Sequence, residues 1–141
     1  MDSEFIRFFR RISDPLSRFA IFTIYFWFGL LKVLGLSPAS ELVRQLAEKT
    51  IHFMTFPTFY MFFALFEVII GILFLFPRLT RVVTPLLIIH MITTALPLFL
   101  LPSISWQSFF VPTLEGQYII KNLVIIACAV GIVSHLDPMK K

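Results

Sequence analysis

Charged residues are scarce in this sequence, which rules out an ordinary water-soluble domain. Only 14% of the 141 residues are Asp, Glu, Lys or Arg, whereas soluble domains carry roughly a quarter. Hydrophobic residues make up 58%, and the mean hydropathy is +0.90. A soluble domain of this size has too little interior to bury so much apolar surface. In lipid the outward faces can be apolar, so the composition predicts an integral membrane protein.

Cysteine and catalytic motifs are equally scarce. The single cysteine, Cys128, excludes an intrachain disulfide, a Cys-x-x-Cys redox pair and a thiolate metal cage within one chain. No His-Glu-x-x-His, Gly-x-Ser-x-Gly or Walker pattern occurs. His52 and His135 fall on opposite membrane sides with His90 between them, so one chain cannot supply two haem ligands. We therefore expect no metal and no covalently bound cofactor, and a redox role would need a lipid-soluble carrier or a partner subunit.

Four apolar runs are long enough to cross a membrane, which takes about 20 residues. They cover residues 16–36, 56–76, 82–101 and 116–136. Ser13-Asp14-Pro15 suits the start of the first helix, and Pro97 predicts a kink in the third. The sequence thus predicts an all-α, four-helix membrane bundle that forms a single domain over residues 1–141.

The basic residues predict the orientation of this bundle. One side has only Arg44 and Lys49, whereas the other has eight basic residues: Arg7, Arg10, Arg11, Arg18, Arg78, Arg81, Lys140 and Lys141. Positive flanks stay in the cytoplasm, so both termini should be cytoplasmic. The net charge of +4 is then explained by topology, and no nucleic-acid partner is expected. A cleaved signal peptide before Ser40 is a competing interpretation, but its apolar core would be too long and would contain Lys32.

Two connecting segments are amphipathic. Phe5, Phe8, Phe9 and Ile12 recur at helical spacing among arginines, which predicts a basic interfacial helix on an anionic leaflet. After Ser37-Pro38, a second helix is predicted with an apolar stripe of Ala39, Leu42, Val43, Leu46 and Ala47. Trp106, between the third and fourth spans, suits an interfacial aromatic belt. We therefore expect short interfacial segments and membrane lipids as partners.

Each predicted span carries a few polar residues on one face, and ionisable residues in lipid usually face the bundle interior. The stripes contain Tyr25, Phe28, Gly29 and Lys32 in the first span, Glu67 and Gly71 in the second, His90, Thr93, Thr94 and Pro97 in the third, and Glu115, Tyr118, Lys121 and Asn122 in the fourth. At about 1.5 Å of rise per residue, Glu67 and Tyr25 lie near mid-depth. Lys32 and Lys121 lie nearer the outer boundary.

This pattern leaves two interpretations open. The Lys–Glu set could lock the helices together, or it could line a ligand pocket. We expect Glu67 to face protein and to pair with Lys32 or Lys121. We also expect Lys32, Tyr118, Lys121 and Asn122 to converge with Glu115 around one polar cavity open to the outer leaflet. His90 on its own is typical of a hydrogen-bonded core histidine.

Three motifs carry a family resemblance. The segment Tyr25-Phe26-Trp27-Phe28-Gly29-Leu30-Leu31-Lys32 resembles the first-helix signature of DoxX-like membrane proteins. Phe66-Glu67 followed by Gly71 resembles their second-helix pattern. Pro112-Thr113-Leu114-Glu115-Gly116-Gln117-Tyr118 with Lys121-Asn122 is similar to the fourth-helix entry of one bacterial branch. The resemblance covers roughly residues 18–133.

The resemblance implies a four-helix bundle of the bacterial inner membrane. The family takes its name from a subunit of an archaeal thiosulfate:quinone oxidoreductase, and other members are linked to oxidative-stress complexes or to receptor assembly. It therefore implies a redox-associated subunit that interacts with a quinone. In that role Lys32, Lys121 and Tyr118 would hydrogen-bond a carbonyl, Glu67 and His90 would exchange protons, and Trp27 and Phe66 would cover the ring.

Two other functions remain open at this stage. The chain could be a non-catalytic accessory subunit or assembly chaperone that packs against a larger membrane protein. It could also pass a small solute or proton along the polar stripe, for which so small a bundle would need an oligomer. Partner membrane subunits or further copies of the chain are expected in either case.

Overall fold

The computed structural model describes residues 2–136, and this part of the chain is almost entirely helical. The helices are α1 (Asp2–Val33), α2 (Ser40–Thr50), α3 (Phe56–Phe74), α4 (Thr80–Ala95), α5 (Pro97–Leu100), α6 (Pro102–Ser105) and α7 (Leu114–Ser134). A 3-10 turn at Pro77–Leu79 joins α3 to α4. Strands β1 (Trp106–Ser108) and β2 (Val111–Pro112) form a short antiparallel hairpin before α7.

Four segments are long and apolar enough to cross a membrane. They are Ser3–Val33, Phe56–Phe74, Pro77–Leu100 and Leu114–Ser134. The all-α class and the four apolar helices predicted from sequence are therefore present within residues 2–136. The C-terminal basic pair used in the orientation count, Lys140 and Lys141, lies outside the described residues.

Helix α1 differs from the sequence prediction because it does not begin at Ser13-Asp14-Pro15. It runs unbroken from Asp2 to Val33, with Pro15 inside, and spans about 48 Å at 1.5 Å per residue. Pro15 removes one backbone hydrogen bond without ending the helix, and the Ser13 hydroxyl donates to the Arg10 carbonyl instead of capping a new one. The predicted basic interfacial helix is thus the first part of α1, where the Phe5, Phe8 and Phe9 side chains are exposed.

At Pro97, where the sequence predicts a kink, the helical hydrogen-bond pattern is interrupted. Helix α4 ends at Ala95, Leu96 forms a turn, and α5 begins at Pro97. Proline has no amide N–H, so the Thr93 carbonyl accepts from the Leu96 amide at 3.2 Å instead. Helices α5 and α6 and the hairpin follow this interruption.

The closest helix pair is α1 with α3, and glycines permit its contact. A Cβ placed on Gly29 would lie 2.8 Å from Val68 Cγ2, and one on Gly71 would lie 2.8 Å from the Phe26 amide nitrogen. Small residues allow such an approach between apolar helices. The core between α1, α3, α4 and α7 consists of Ile21, Tyr25, Ile70, Phe74, Val83, Leu87, Met91, Ile125, Ala129 and Ile132.

Helix α2 packs across one end of the bundle through the apolar stripe predicted for it. Ala47 is buried, and the other stripe residues are half-buried. On its opposite face Arg44 forms ion pairs with Glu41 at 2.6 Å and with Glu48 at 2.5 Å. The Lys49 ammonium donates to the Leu100 carbonyl at 2.8 Å, which ties α2 to α5.

Candidate functional site

A buried ion pair lies at the centre of the bundle. Lys32 Nζ on α1 donates to Glu67 Oε2 on α3 at 2.6 Å, and the side chains are only 7% and 8% exposed. Glu67 falls 11 residues into α3, about 16 Å from its start. Glu67 therefore faces protein, as the sequence predicts, and Lys32 is the partner. Burial of both charges is tolerable because each neutralises the other.

His90 of α4 completes the surroundings of Glu67. Its Nε2 lies 3.2 Å from Glu67 Oε1, yet the alignment is too poor for a hydrogen bond, so this buried nitrogen has no hydrogen-bond partner among the described residues. The imidazole stacks on Phe63 with ring centroids 5.0 Å apart and lies 6.0 Å from the Phe66 ring. His90 is only 3% exposed, so this ring is held among aromatic side chains.

Tyr25 of α1 meets the other side of the imidazole. Its hydroxyl lies 3.0 Å from His90 Nδ1, and Tyr25 is 3% exposed. Tyr25 and Lys32 are seven residues apart on one face of α1, which places their backbones about 10 Å apart along the helix. Lys32, Glu67, His90 and Tyr25 thus form one continuous chain of side chains, named here the central network.

The central network combines a hydrogen-bond donor, an acceptor and two groups that can do either. An ammonium, a carboxylate, an imidazole and a phenol all exchange protons, and imidazole does so near neutral pH when unperturbed. The order ammonium–carboxylate–imidazole–phenol brings neighbouring groups to 2.6, 3.2 and 3.0 Å, with a hydrogen bond at the first and third of these contacts. It also joins three helices, since Tyr25 and Lys32 lie on α1, Glu67 on α3 and His90 on α4. The same four side chains therefore suit either proton exchange or fixing the register of the three helices.

The polar residues predicted on the fourth span do not join this network. Glu115, Tyr118 and Lys121 are exposed on α7, with Tyr118 61% exposed. The Lys121 ammonium lies 5.2 Å from the centroid of the Tyr118 ring. The predicted convergence with Lys32 around one cavity is therefore wrong. The reason is the rotation of α7, which turns Gly116, Ile119, Ile125, Ala129 and Ile132 inward.

Asn122 and the threonines of α4 hold a separate position. The half-buried Asn122 amide lies 3.4 Å from Thr94 Oγ1, linking α7 to α4. The Thr93 and Thr94 hydroxyls donate to the carbonyls of His90 and Met91, so they bond to their own helix. Asn122 thus joins helices without contacting the central network.

Of the two aromatic residues expected to cover a ligand ring, Phe66 lies beside the central network and Trp27 lies on the outer face of α1. Phe66 contacts His90, as described, and Lys32 Nζ lies 5.7 Å from the Phe63 ring centroid. Trp27 is 61% exposed on the outer face of α1. Phe63, which the sequence interpretation passed over, takes the place foreseen for Trp27. It lies one turn before Glu67 on α3, and that spacing was the available signal.

A second buried cluster centres on Arg18, which the sequence interpretation used only for orientation. Arg18 is 6% exposed. It donates to Asp14 Oδ2 at 2.7 Å, to Thr80 Oγ1 at 2.6 Å and to the Phe74 carbonyl at 3.2 Å. A cation at the last carbonyls of α3 offsets the negative end of its dipole. Arg18 lies seven residues before Tyr25 on the same face of α1, a spacing from which its burial could have been inferred.

Two hollows in the described surface lie away from the central network. One is lined by Phe5, Ile6, Phe9, Arg10, Ser13 and His135, and the other by Phe76–Leu79. Within residues 2–136 no group of three His, Cys, Asp or Glu side chains is placed to hold a metal ion.

Comparison with known proteins found no match. No protein-family model matches the chain, and no curated protein or solved structure matches it significantly. The DoxX-like resemblance therefore stays a prediction.

Proposed function

We propose that the chain is a multi-pass protein of the bacterial inner membrane, with both termini in the cytoplasm. The support is the four apolar helices and the excess of basic residues on one side of the sequence. Two accessible sites report the orientation: Ser13→Cys near the first span and Glu48→Cys on α2, each in a Cys128→Ala background. A membrane-impermeant thiol reagent added to whole cells should label position 48 only. Labelling of position 13 from outside would refute the orientation.

Within that membrane, we propose that the chain is a redox-associated subunit that interacts with a quinone at the central network. The observation that carries this proposal is the continuous chain from Lys32 through Glu67 and His90 to Tyr25, buried at mid-depth among aromatic rings. A simple helix lock needs only the ion pair. The added imidazole and phenol extend the pair into groups suited to proton exchange.

The central network contains hydrogen-bond donors that suit the carbonyl oxygens of a quinone. A quinone supplies two-electron chemistry coupled to protons, and its carbonyl oxygens accept hydrogen bonds. Three buried side-chain atoms of the described residues have no hydrogen-bond partner: Tyr60 Oη, Thr84 Oγ1 and His90 Nε2. Only His90 Nε2 belongs to the central network, where it lies 3.2 Å from Glu67 Oε1, so it is the network's donor for such an oxygen. Lys32 and Tyr25 would supply protons through Glu67 and His90. The electron donor in this proposal is a partner subunit.

The test is to measure quinone in protein purified from native membranes. Wild type should co-purify with quinone, whereas His90→Gln should lose it and keep the fold, since the Lys32–Glu67 pair is untouched. His52→Gln is the matched control because His52 is exposed and lies outside the network. Absence of quinone from wild type, or equal quinone in both variants, would overturn the proposal.

A second candidate function, a non-catalytic accessory subunit, is favoured by two different observations. Lys32 and Glu67 fill the space between them at 2.6 Å, as a pair that only holds helices would. The exposed Glu115, Tyr118 and Lys121 on α7 give a polar strip to a neighbouring subunit. A photo-crosslinker at Tyr118 then discriminates the two. A stoichiometric protein partner without quinone favours the accessory role.

A further inference from the structure

The backbone carbonyls of the segment between α4 and α7 accept hydrogen bonds from side chains of that segment and from Lys49 of α2. This segment contains α5, α6 and the hairpin, and is named here the outer connection (residues 96–113). Side chains donate to four of its carbonyls: Ser105 to Pro97 at 2.9 Å, Trp106 to Leu98 at 2.9 Å, Lys49 to Leu100 at 2.8 Å and Thr113 to Ile104 at 2.5 Å. The Thr113 amide donates to the Ser105 carbonyl at 3.0 Å. Internal partners of this kind lower the cost of bringing irregular backbone to the membrane, because unsatisfied backbone groups are costly in lipid.

The tip of the hairpin exposes two phenylalanines. Phe109 is 90% exposed and Phe110 is 79% exposed, and their rings contact each other edge to face. Phe110 has a φ of 56°, a backbone conformation that bulky side chains rarely adopt. Two-residue hairpin turns in water favour asparagine and glycine. Phenylalanine at both positions therefore gives the tip an apolar surface.

The outer connection carries no charge that would hold it in water. No Asp, Glu, Lys or Arg occurs in residues 82–114. The exposed large hydrophobic side chains within and beside the connection are Phe99, Leu100, Phe109, Phe110, Val111 and Leu114. Its exposed polar side chains, Ser103, Gln107 and Ser108, are uncharged. By contrast, α2 at the same end of the bundle exposes the ion pairs of Arg44 with Glu41 and Glu48. One end of the molecule thus has a charged part and an apolar part.

We infer that the outer connection is immersed in the outer leaflet and that Phe109 and Phe110 contact lipid acyl chains. The inference rests on the membrane location proposed above. Lipid is the occupant that the exposed surface favours, since its large hydrophobic side chains are grouped without a charged residue among them. The connection then acts as an anchor that places α7 at a set depth.

Spin-label accessibility in proteoliposomes tests this inference. In a Cys128→Ala background, single labels are introduced through Phe109→Cys and Phe99→Cys in the connection. The reference positions are Leu123→Cys, 68% exposed on α7, and Glu48→Cys on the charged face of α2. Collisions with oxygen, which concentrates in lipid, are compared with collisions with a water-soluble nickel chelate. Labels 109 and 99 should show an oxygen-to-nickel ratio several-fold above that of label 48 and close to that of label 123.

The reference positions separate the possible failures. Nickel access at 109 and 99 equal to that at 48, with 123 still in lipid, would overturn the immersed connection alone. Nickel access at 123 as well would overturn the membrane location itself. Protection of 109 from both reagents would show that a protein covers the tip, which also overturns the lipid contact.

Discussion

Lys32 Nζ and Glu67 Oε2 lie 2.6 Å apart although the residues are separated by 35 positions in the sequence. The contact joins α1 to α3 at the level where Gly29 and Gly71 bring these helices together. Two charges less than a tenth exposed can remain ionised there because each supplies the other's counter-charge. The pair thus depends on the close glycine packing, and the packing in turn keeps water from the pair.

Removing one partner of this pair should lower the free energy of unfolding far more than removing an exposed lysine. Lys32→Met leaves the Glu67 carboxylate buried without its cation and should lower the free energy of unfolding by about 3–5 kcal/mol. Lys121→Met, on the exposed face of α7, should change it by less than about 0.5 kcal/mol. Thermal or denaturant unfolding in detergent measures both. Equal effects of the two variants would mean that the buried pair is not structural.

The double variant Lys32→Met with Glu67→Leu refines this prediction. It removes both charges and fills the space with apolar groups, which is often neutral for a buried pair. It should therefore be more stable than Lys32→Met alone. A double variant as unstable as the sum of the single ones would show that the two residues act independently.

The sequence predicts the helices and the buried pair well because both depend on composition and period. Span length follows from hydropathy alone, and the cost of a carboxylate in an apolar helix predicts that Glu67 faces protein. Tyr25, Gly29 and Lys32 share a face through 3.6-residue periodicity. Phe28, assigned to the same face, is exposed, because a step of three residues falls at the edge of that stripe.

The rotation of α7 and the outer connection could not be read in the same way. In a helix that is apolar all round, hydrophobicity does not tell which side meets other helices. The polar residues predict which side of α7 faces the bundle interior, and for Tyr118 and Lys121 that prediction is wrong. Near an interface, Tyr and Lys side chains can instead reach outward. The short helices α5 and α6 depend on side-chain to carbonyl bonds over eight or nine positions, which no local pattern reports.

Arg18 should behave as a buried cap and not as a surface charge. Arg18→Gln removes the cation that binds Asp14, Thr80 and the Phe74 carbonyl. The free energy of unfolding should fall by roughly 1.5–3 kcal/mol, and amide hydrogen exchange should speed up in the last turn of α3. Arg11→Gln is the matched control, since Arg11 is exposed. Unchanged exchange in α3 would contradict the capping role.

The Glu41 carboxyl on the charged face of α2 should titrate at unusually low pH. Hydrogen bonds from Arg44 and Gln45 lower the pKa of Glu41 to about 2, and the contacts with Glu41 and Glu48 raise the pKa of Arg44. Because the folded pKa lies below the ordinary value of 4.5, the ion pair stabilises α2 above that value. The contribution is lost as pH falls from there toward 2. Carboxyl carbon NMR of Glu41 measures the midpoint.

Two changes should move that midpoint in a known direction. Arg44→Gln removes the largest cause and should return the pKa of Glu41 toward its ordinary value. High salt should move it the same way by a smaller amount, because the group is exposed and the charges are screened. A midpoint that ignores Arg44→Gln would mean that the Arg44–Glu41 pair does not form in solution.

Gly71 and Gly131 form a matched pair for substitution by alanine. The change should lower the free energy of unfolding at Gly71 and raise it at Gly131. A Cβ on Gly71 would lie 2.8 Å from the Phe26 amide nitrogen and 3.1 Å from Tyr25 Cβ, whereas one on Gly131 meets nothing within 4 Å. Gly71→Ala must push α3 away from α1, and overpacking of this kind costs about 1–3 kcal/mol. The same displacement would stretch the Lys32–Glu67 contact. Gly131→Ala should instead stabilise α7 by up to about 1 kcal/mol, because alanine favours the helix. Unfolding measurements on the two variants in one detergent check both signs. If Gly71→Ala proved as stable as Gly131→Ala, α1 and α3 would not pack at this distance, and the geometry of the central network would have to change with them.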